Sequence, residues 1–322
     1  MFPTRDNITI CFAHVAYQFQ MQFEKRNTGL KSFEVRTRDE LESRIGGADV
    51  LLISGLWRND LVPLAGKLRF IQSISAGVDQ YDRDALAAAA IRLASAQGAN
   101  ASAVSEHAFA LILALARRLP EARDNQHRKF WRGMLGDLTR REDELGGKTL
   151  LIVGLGRIGG RVARLAKAFD MHVIGLRRDP TAGNNGTDEV HGIEHLHALL
   201  PRADVVALTC PLTPQTENLI DTNALRLMKP SAHLVNCARG RVVDETALIA
   251  CLQNDGIAAA GIDVTVEEPL PRSSPLWDLP NVLVTPHTGG ETRHYEDNVI
   301  DLLMENLARL WRGEIGLRNQ VV

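Results

Sequence analysis

The sequence predicts an α/β fold made of two doubly wound parallel-sheet domains, and three observations carry that prediction. Short β-rich runs alternate with helical runs along nearly the whole chain, an order that places helices on both faces of a sheet. Many of the strand runs are apolar throughout instead of alternating, as parallel strands buried on both faces are. The series restarts near residue 150, which gives two such units.

In order along the chain, strands are predicted at 8–12, 33–36, 50–54, 69–73 and 91–94, with helical stretches at 39–45 and 82–90 between them. A helix over 101–118 comes next, with Asn100 or Ser102 as its cap and Pro120 helping to end it. Such a long helix suits a beam joining the domains. Residues 125–147 are polar and read as loops, and as an arm that would cross to a partner subunit. The second series has strands at 150–153, 172–176, 205–209, 233–236, 258–262 and 282–285. The last helix, 296–312, is expected to return to the first unit.

Composition narrows the function. A chain of 322 residues with 45% hydrophobic and 24% charged residues is ordinary for a globular protein of two domains. Lys and Arg total 37 against 39 Asp and Glu, so the net charge of −2 offers no footprint for nucleic acid or an anionic membrane. The longest apolar run, 108–116, is too short to span a bilayer, and Arg5, Asp6 and His14 interrupt the stretch a secretory leader would need. Cys11, Cys210, Cys237 and Cys251 form no C-x-x-C pair, which fits a reducing cytoplasm.

Gly154-Leu155-Gly156-Arg157-Ile158-Gly159 comes directly after the strand 150–153 and precedes a helical run over 161–169. In this context the first glycine serves a tight turn and the second lets backbone approach a pyrophosphate. The third lets helix and strand pack closely. The helix N-terminus then offers unpaired N–H groups to the phosphates. The next strand ends in Arg177-Arg178, where an NAD site usually carries an acid. Two guanidinium groups suit a 2′-phosphate, so NADP is favoured over NAD.

Ligands of open α/β sheets lie outside the carboxyl ends of the strands, and the residues just past each strand of the second unit are chemically dense. Thr209-Cys210-Pro211 stands after one, Ala238-Arg239-Gly240 after the next, then Asp263 with Glu267-Glu268, then His287 with Gly289. His287 can exchange a proton near neutral pH, a carboxylate can fix its tautomer, and Arg239 can pair with a substrate carboxylate. Singly, each has an ordinary explanation as an ion pair, an acidic loop or a turn histidine. Their convergence beside a nucleotide motif points to proton and hydride chemistry.

These residues make the chain resemble the D-isomer-specific 2-hydroxyacid dehydrogenase family over nearly its full length. The matching segments are Ser75-Ala76-Gly77-Val78-Asp79, 100–107, the glycine motif, 211–216, 236–240, 263–269 and 285–290. The resemblance implies a Rossmann dinucleotide-binding domain, residues 100–290, inserted into a flavodoxin-like substrate domain built from 1–99 and 291–322. By that resemblance Arg239, Glu268 and His287 correspond to the family's catalytic Arg, Glu and His, and the Gly77 and Val78 amides help hold the substrate carboxylate. Asp263 would bond the nicotinamide carboxamide, Thr209, Cys210 and Pro211 would line the adenosine side, and Ala238, His287 and Gly289 would complete the cofactor contacts. Members are commonly homodimers, so a homodimer is implied.

The departures from the family pattern are Arg177-Arg178 in place of an acid, Thr265 where an aromatic residue is common, and Ser105 where Ala is. Glu268 argues against formate dehydrogenases, which by resemblance carry Gln there. The activity expected is reduction of small 2-keto acids, glyoxylate- or hydroxypyruvate-like, to D-2-hydroxy acids with NADPH favoured over NADH. The alternatives are a dinucleotide-sensing corepressor-like protein and a dehydrogenase of a different 2-hydroxy acid. The end of the chain soon after Arg312 weighs against the tail that such regulators often carry. His191, His195 and His197 resemble a metal cluster on paper, but they precede a helical run and no metal is expected. Trp57 is open to either a substrate-bordering or a core position.

Overall fold

The structure, a computed structural model, describes residues 2–322. It forms two compact units, one from the segments up to Asn100 and from Glu291 onward, the other from Ala101–Gly290.

In the first unit β1 (Thr9–Ala13), α1 (Phe19–Glu24), β2 (Lys31–Val35), α2 (Arg38–Arg44), β3 (Val50–Ile53), β4 (Phe70–Ser73), α3 (Arg83–Ala88) and β5 (Arg92–Ala94) succeed one another. The five strands lie in the order β2-β1-β3-β4-β5, all parallel. That is the flavodoxin-like winding, with its switch point between β1 and β3. β3 and β4 are buried at every position; β3 therefore reads as an unbroken apolar run, while β4 carries the buried polar residues Gln72 and Ser73. Thr37 and Glu40 form a reciprocal capping box that starts α2, and Asp82 accepts from the amides of Asp84 and Ala85 to start α3.

The second unit runs through α4 (Ala101–Ala116), α5 (Leu119–His127), β6 (Thr149–Val153), α6 (Arg157–Ala168), β7 (His172–Leu176), β8 (Glu189–His191), α7 (Leu196–Leu199), β9 (Val205–Leu208), α8 (Thr222–Leu227), β10 (His233–Asn236), α9 (Glu245–Gln253), β11 (Ala259–Ile262) and β12 (Val282–Val284). Its seven strands take the order β12-β11-β10-β9-β6-β7-β8, again all parallel. This is the Rossmann winding, and its switch point lies between β6 and β9. α4 packs against α6 and the sheet through Ala108, Leu111, Ile112 and Leu115. Gly261 on β11 makes that approach possible, because a Cβ there would stand 3.1 Å from the Leu111 Cβ.

The chain then returns to the first unit with α10 (Tyr295–Trp311), whose Val299, Ile300, Leu303 and Leu307 join Ile8, Ile10, Phe12 and Val50 in one core. Buried Asn306 spends its amide on Gln72 Oε1, 2.9 Å away, and accepts from the Arg318 N–H, so its polar atoms are satisfied.

Several elements differ from the sequence expectation. Pro120 does not end a helix but sits in the first turn of α5, where its missing N–H costs nothing. The break before it comes at Arg118, in the left-handed region at φ +49°. α1, α5, α8, α9 and β8 have no counterpart among the predicted elements, and α5 makes residues 125–127 helical where loops were expected. No helix among the described residues is long and apolar enough to cross a membrane.

Candidate active site

At the switch point of the second unit, the turn after β6 is shaped by close backbone contact. Gly154 has φ +103°, and a Cβ there would lie 2.5 Å from the Cys210 N. At Gly159 a Cβ would lie 2.3 Å from the Gly154 carbonyl oxygen. The Thr209 hydroxyl donates to that same carbonyl at 2.8 Å, so β6 and β9 are tied together at their carboxyl ends. Gly156 is different: a Cβ there would meet nothing within 4 Å. Packing within the chain gives no reason for glycine at 156, and its open face leaves room for an outside group. α6 starts just beyond it without a side-chain cap, and the start of such a helix suits an anion. Arg157 is exposed and Ile158 half-buried on that first turn. The residues present fit a dinucleotide pyrophosphate.

Beside this turn, Cys210 is buried, burial pushes its thiol up to about 11, and the Pro211 carbonyl accepts from Thr216. β7 is followed directly by Arg177 and Arg178, and the first acid after it in the chain is Asp179. Arg177 donates from Nη1 to the carbonyls of Ala182 and Gly183, 3.1 and 2.8 Å away, while Arg178 is exposed. Asp179, the nearest carboxylate in sequence, is engaged by the amide and hydroxyl of Thr181.

The carboxyl ends of β10, β11 and β12 gather the remaining candidates. Ala238 donates its N–H to Asn236 Oδ1, and Arg239 bonds the Ala238 carbonyl through Nη1. Gly240 presses backbone to backbone on the next loop: a Cβ there would stand 2.0 Å from the Thr265 carbonyl carbon. That loop is fixed further by Glu245, which accepts from the Val266 N–H at 2.9 Å. Thr265 uses its hydroxyl to hold the Glu267 carbonyl at 2.7 Å and its N–H to reach Glu268 Oε1 at 3.2 Å. The residue that departs from the family pattern therefore orients Glu268.

Glu268 Oε2 meets His287 Nδ1 at 2.7 Å. Partial burial raises the Glu268 pKa, but the bond and charge of His287, the Thr265 amide and the Arg239 charge outweigh it and hold the carboxyl below its ordinary value. An ionised Glu268 accepting from Nδ1–H leaves Nε2 as the ring nitrogen for chemistry. His287 has φ +54°, an uncommon conformation for a residue with a side chain.

Asp263 is buried beside this pair. Its Oδ1 accepts from the Thr285 hydroxyl at 2.7 Å and the Thr288 N–H at 3.1 Å, and its Oδ2 accepts from the Gly289 N–H at 3.0 Å. Desolvation raises its pKa, yet His107, Thr285 and the Gly289 amide bring it below the ordinary value. His107, on α4, bonds Thr285 Oγ1 through Nε2 at 2.9 Å. Sequence reasoning placed His107 only within a matching segment. Its contact with Thr285 spans 178 positions, and no local pattern marks it.

The other expected site residues lie elsewhere or play structural parts. Gly77 and Val78 are in the first unit, in the loop after β4. Trp57 is wholly buried there, against Tyr81 at 5.6 Å between ring centroids, and is a core residue. His191 bonds Glu189 at 3.0 Å, and the same carboxylate bonds His172 and Arg202. His195 pairs instead with Glu194, and no metal-binding cluster occurs among the described residues.

Comparison with known proteins runs along the same lines. A family model for the "D-isomer specific 2-hydroxyacid dehydrogenase, NAD binding domain" matches residues 109–289. Glyoxylate/hydroxypyruvate reductase B of Yersinia pestis is 36% identical over 293 residues, covering 89% of each chain. D-3-phosphoglycerate dehydrogenase of Methanocaldococcus jannaschii is 37% identical over 284 residues, covering 87% of this chain and 53% of that one. The chain thus spans about half the length of the phosphoglycerate dehydrogenases it matches. Among solved structures, a D-isomer specific 2-hydroxyacid dehydrogenase family protein from Aeromonas salmonicida superposes with a TM-score of 0.85 at 29% identity, covering 98% of this chain and 99% of that one.

Proposed function

This chain belongs to the D-isomer-specific 2-hydroxyacid dehydrogenase family, and from that premise we propose that it reduces small 2-keto acids of the glyoxylate and hydroxypyruvate class to D-2-hydroxy acids, favouring NADPH. The observation that carries the reading is the pair formed by Glu268 and His287 at 2.7 Å, at the carboxyl ends of the strands that the glycine turn also serves. A bound reduced nicotinamide supplies hydride to the keto carbon. His287 Nε2 gives the carbonyl oxygen its proton, and ionised Glu268 stabilises the imidazolium that does so. Arg239 holds the substrate carboxylate and polarises the neighbouring carbonyl, with the Gly77 and Val78 amides as further donors. Asp263, Thr209, Cys210, Pro211, Ala238 and Gly289 complete the cofactor's surroundings.

Support for NADPH comes from Arg177 and Arg178 at the end of β7, where no acid stands to bond a ribose hydroxyl. Arg177 is already aimed by two loop carbonyls, which preorganises it for a 2′-phosphate. A homodimer through the arm after α5 is supported by its apolar exposure, since Trp131 is 95% and Met134 102% exposed. The four cysteines are free, which suits the cytoplasm.

The test is absorbance of the reduced nicotinamide, with NADPH and NADH in separate assays. The panel runs from glyoxylate and hydroxypyruvate through pyruvate to branched and phenyl keto acids, with 3-phosphoglycerate added in the oxidative direction because of the phosphoglycerate dehydrogenase relatives. Fastest turnover of a small keto acid with NADPH supports the proposal. Oxidation of phosphoglycerate above all others overturns the substrate class, and no turnover with a bound cofactor overturns the enzyme reading. Light scattering that finds only monomers overturns the dimer.

A further inference from the structure

The Asp263 carboxylate is unevenly used. Each carboxylate oxygen has two lone pairs, so a buried Asp can accept about four hydrogen bonds. Oδ1 accepts from Thr285 and Thr288 and lies 3.3 Å from His107 Nε2, while Oδ2 accepts, among the described residues, from the Gly289 N–H alone. The direction of the chain of bonds comes from the donors. Thr285 has a single hydroxyl proton and gives it to Asp263, so its oxygen must accept from His107, which therefore carries its proton on Nε2. Gly289 keeps the Oδ2 side narrow: a Cβ there would come within 2.7 Å of that oxygen and 3.1 Å of His107 Cδ2.

We propose that His107 is a positioning residue for the nicotinamide half of the cofactor: acting through Thr285, it saturates Asp263 Oδ1 and leaves Oδ2 to accept from the carboxamide N–H. This rests on the reading of Asp263 as the carboxamide acceptor. Without the His107 proton the Thr285 hydroxyl is no longer oriented and is free to turn, and the carboxylate is free to rotate and spend Oδ2 on it. His107 lies on a long, well-packed helix, between buried Ala108 and the exposed Glu106 that pairs with Arg161, so the network has a rigid base.

The experiment compares H107L, H107Q and T285V with the wild type in two binding measurements. One follows NADPH and NADH by nicotinamide fluorescence; the other follows ADP-ribose and its 2′-phosphate, fragments without nicotinamide, by calorimetry. H107L and T285V should weaken the intact dinucleotide about tenfold, or about 1.4 kcal/mol, the scale of one hydrogen bond to a charged group. The fragments should bind within about twofold of wild type, and H107Q, whose amide can still donate, should recover most of the loss. T285V carries the test if H107L does not fold. Parallel weakening of fragments and dinucleotide, or unchanged dinucleotide affinity in both variants, overturns the inference. A wild type that binds no dinucleotide overturns the reading of the site and the inference together.

Discussion

His287 and Glu268 meet at 2.7 Å although 19 positions separate them, and each is fixed by its own loop before the contact is made. Glu268 is held by the Thr265 N–H, and the His287 N–H bonds the Thr285 carbonyl at 3.0 Å. The pair is partly open to water, with side-chain exposures of 44% and 38%, so its role is to orient and tune more than to stabilise.

His287→Ala should therefore lower kcat for keto-acid reduction by about 10²- to 10⁴-fold, the usual range for a lost general acid, with cofactor affinity largely kept. Glu268→Gln should be milder and pH-selective. The folded carboxyl is held below its ordinary value, so it is ionised across the working range and favours the protonated ring. Without that charge the active range for reduction moves toward lower pH. A kcat profile in Glu268→Gln that matches wild type on both limbs rules out this role.

The glycines of the turn make a contrast that separates folding from binding. Gly159→Ala puts a methyl group 2.3 Å from the Gly154 carbonyl and 2.9 Å from Thr209 Oγ1. It should cost about 1–3 kcal/mol of stability, as overpacking does, read as a lower urea midpoint. Gly156→Ala meets only open space and has extended backbone. It should leave the urea midpoint within about 0.5 kcal/mol while weakening dinucleotide binding. Equal losses of stability in the two variants would falsify the distinction.

The sequence's own patterns reached most of this architecture because the parallel strands are buried on both faces and leave apolar runs that stand out. β3, buried at all positions, is visible for that reason. β8 is not, since Glu189-Val190-His191 is short, half-buried and polar at the sheet edge. α1 escaped because six residues with two buried phenylalanines make no readable period, and Pro120 misled because its position relative to the helix start decides its meaning. The strand-end residues were legible since their spacing is local to each strand. His107 and Glu245 were not, because their parts depend on contacts between segments apart in sequence.

Arg177 and Arg178 should behave differently when removed. Arg178 is exposed, and Arg178→Ala should lower NADPH affinity about tenfold or more, the scale of a charge-assisted hydrogen bond, while NADH affinity stays level. Arg177→Ala should do the same and also loosen the 182–183 loop that its guanidinium holds. A ratio of NADPH to NADH affinity that is unchanged in both variants would remove the basis for the cofactor preference.

At the far edge of the same sheet, Glu189 draws Arg202, His191 and His172 onto one carboxylate. The Arg202 hydrogen bond leads, with those of the two histidines next, in bringing its pKa down from 4.5 to about 2. A carboxyl depressed on folding contributes stability that is fully present above its unfolded pKa and is lost as pH falls through the folded one. The contribution should therefore be complete above about pH 4.5 and disappear between there and about pH 2. Glu189→Gln keeps the shape but removes the charge, and should cost about 1–2 kcal/mol at pH 7, the range for charge-assisted bonds at a partly exposed site. The urea midpoints of variant and wild type should then converge as the pH is lowered through that window. A gap that stays constant from pH 7 to the acid limit would show that packing, and not the charge of Glu189, holds β8 on the sheet.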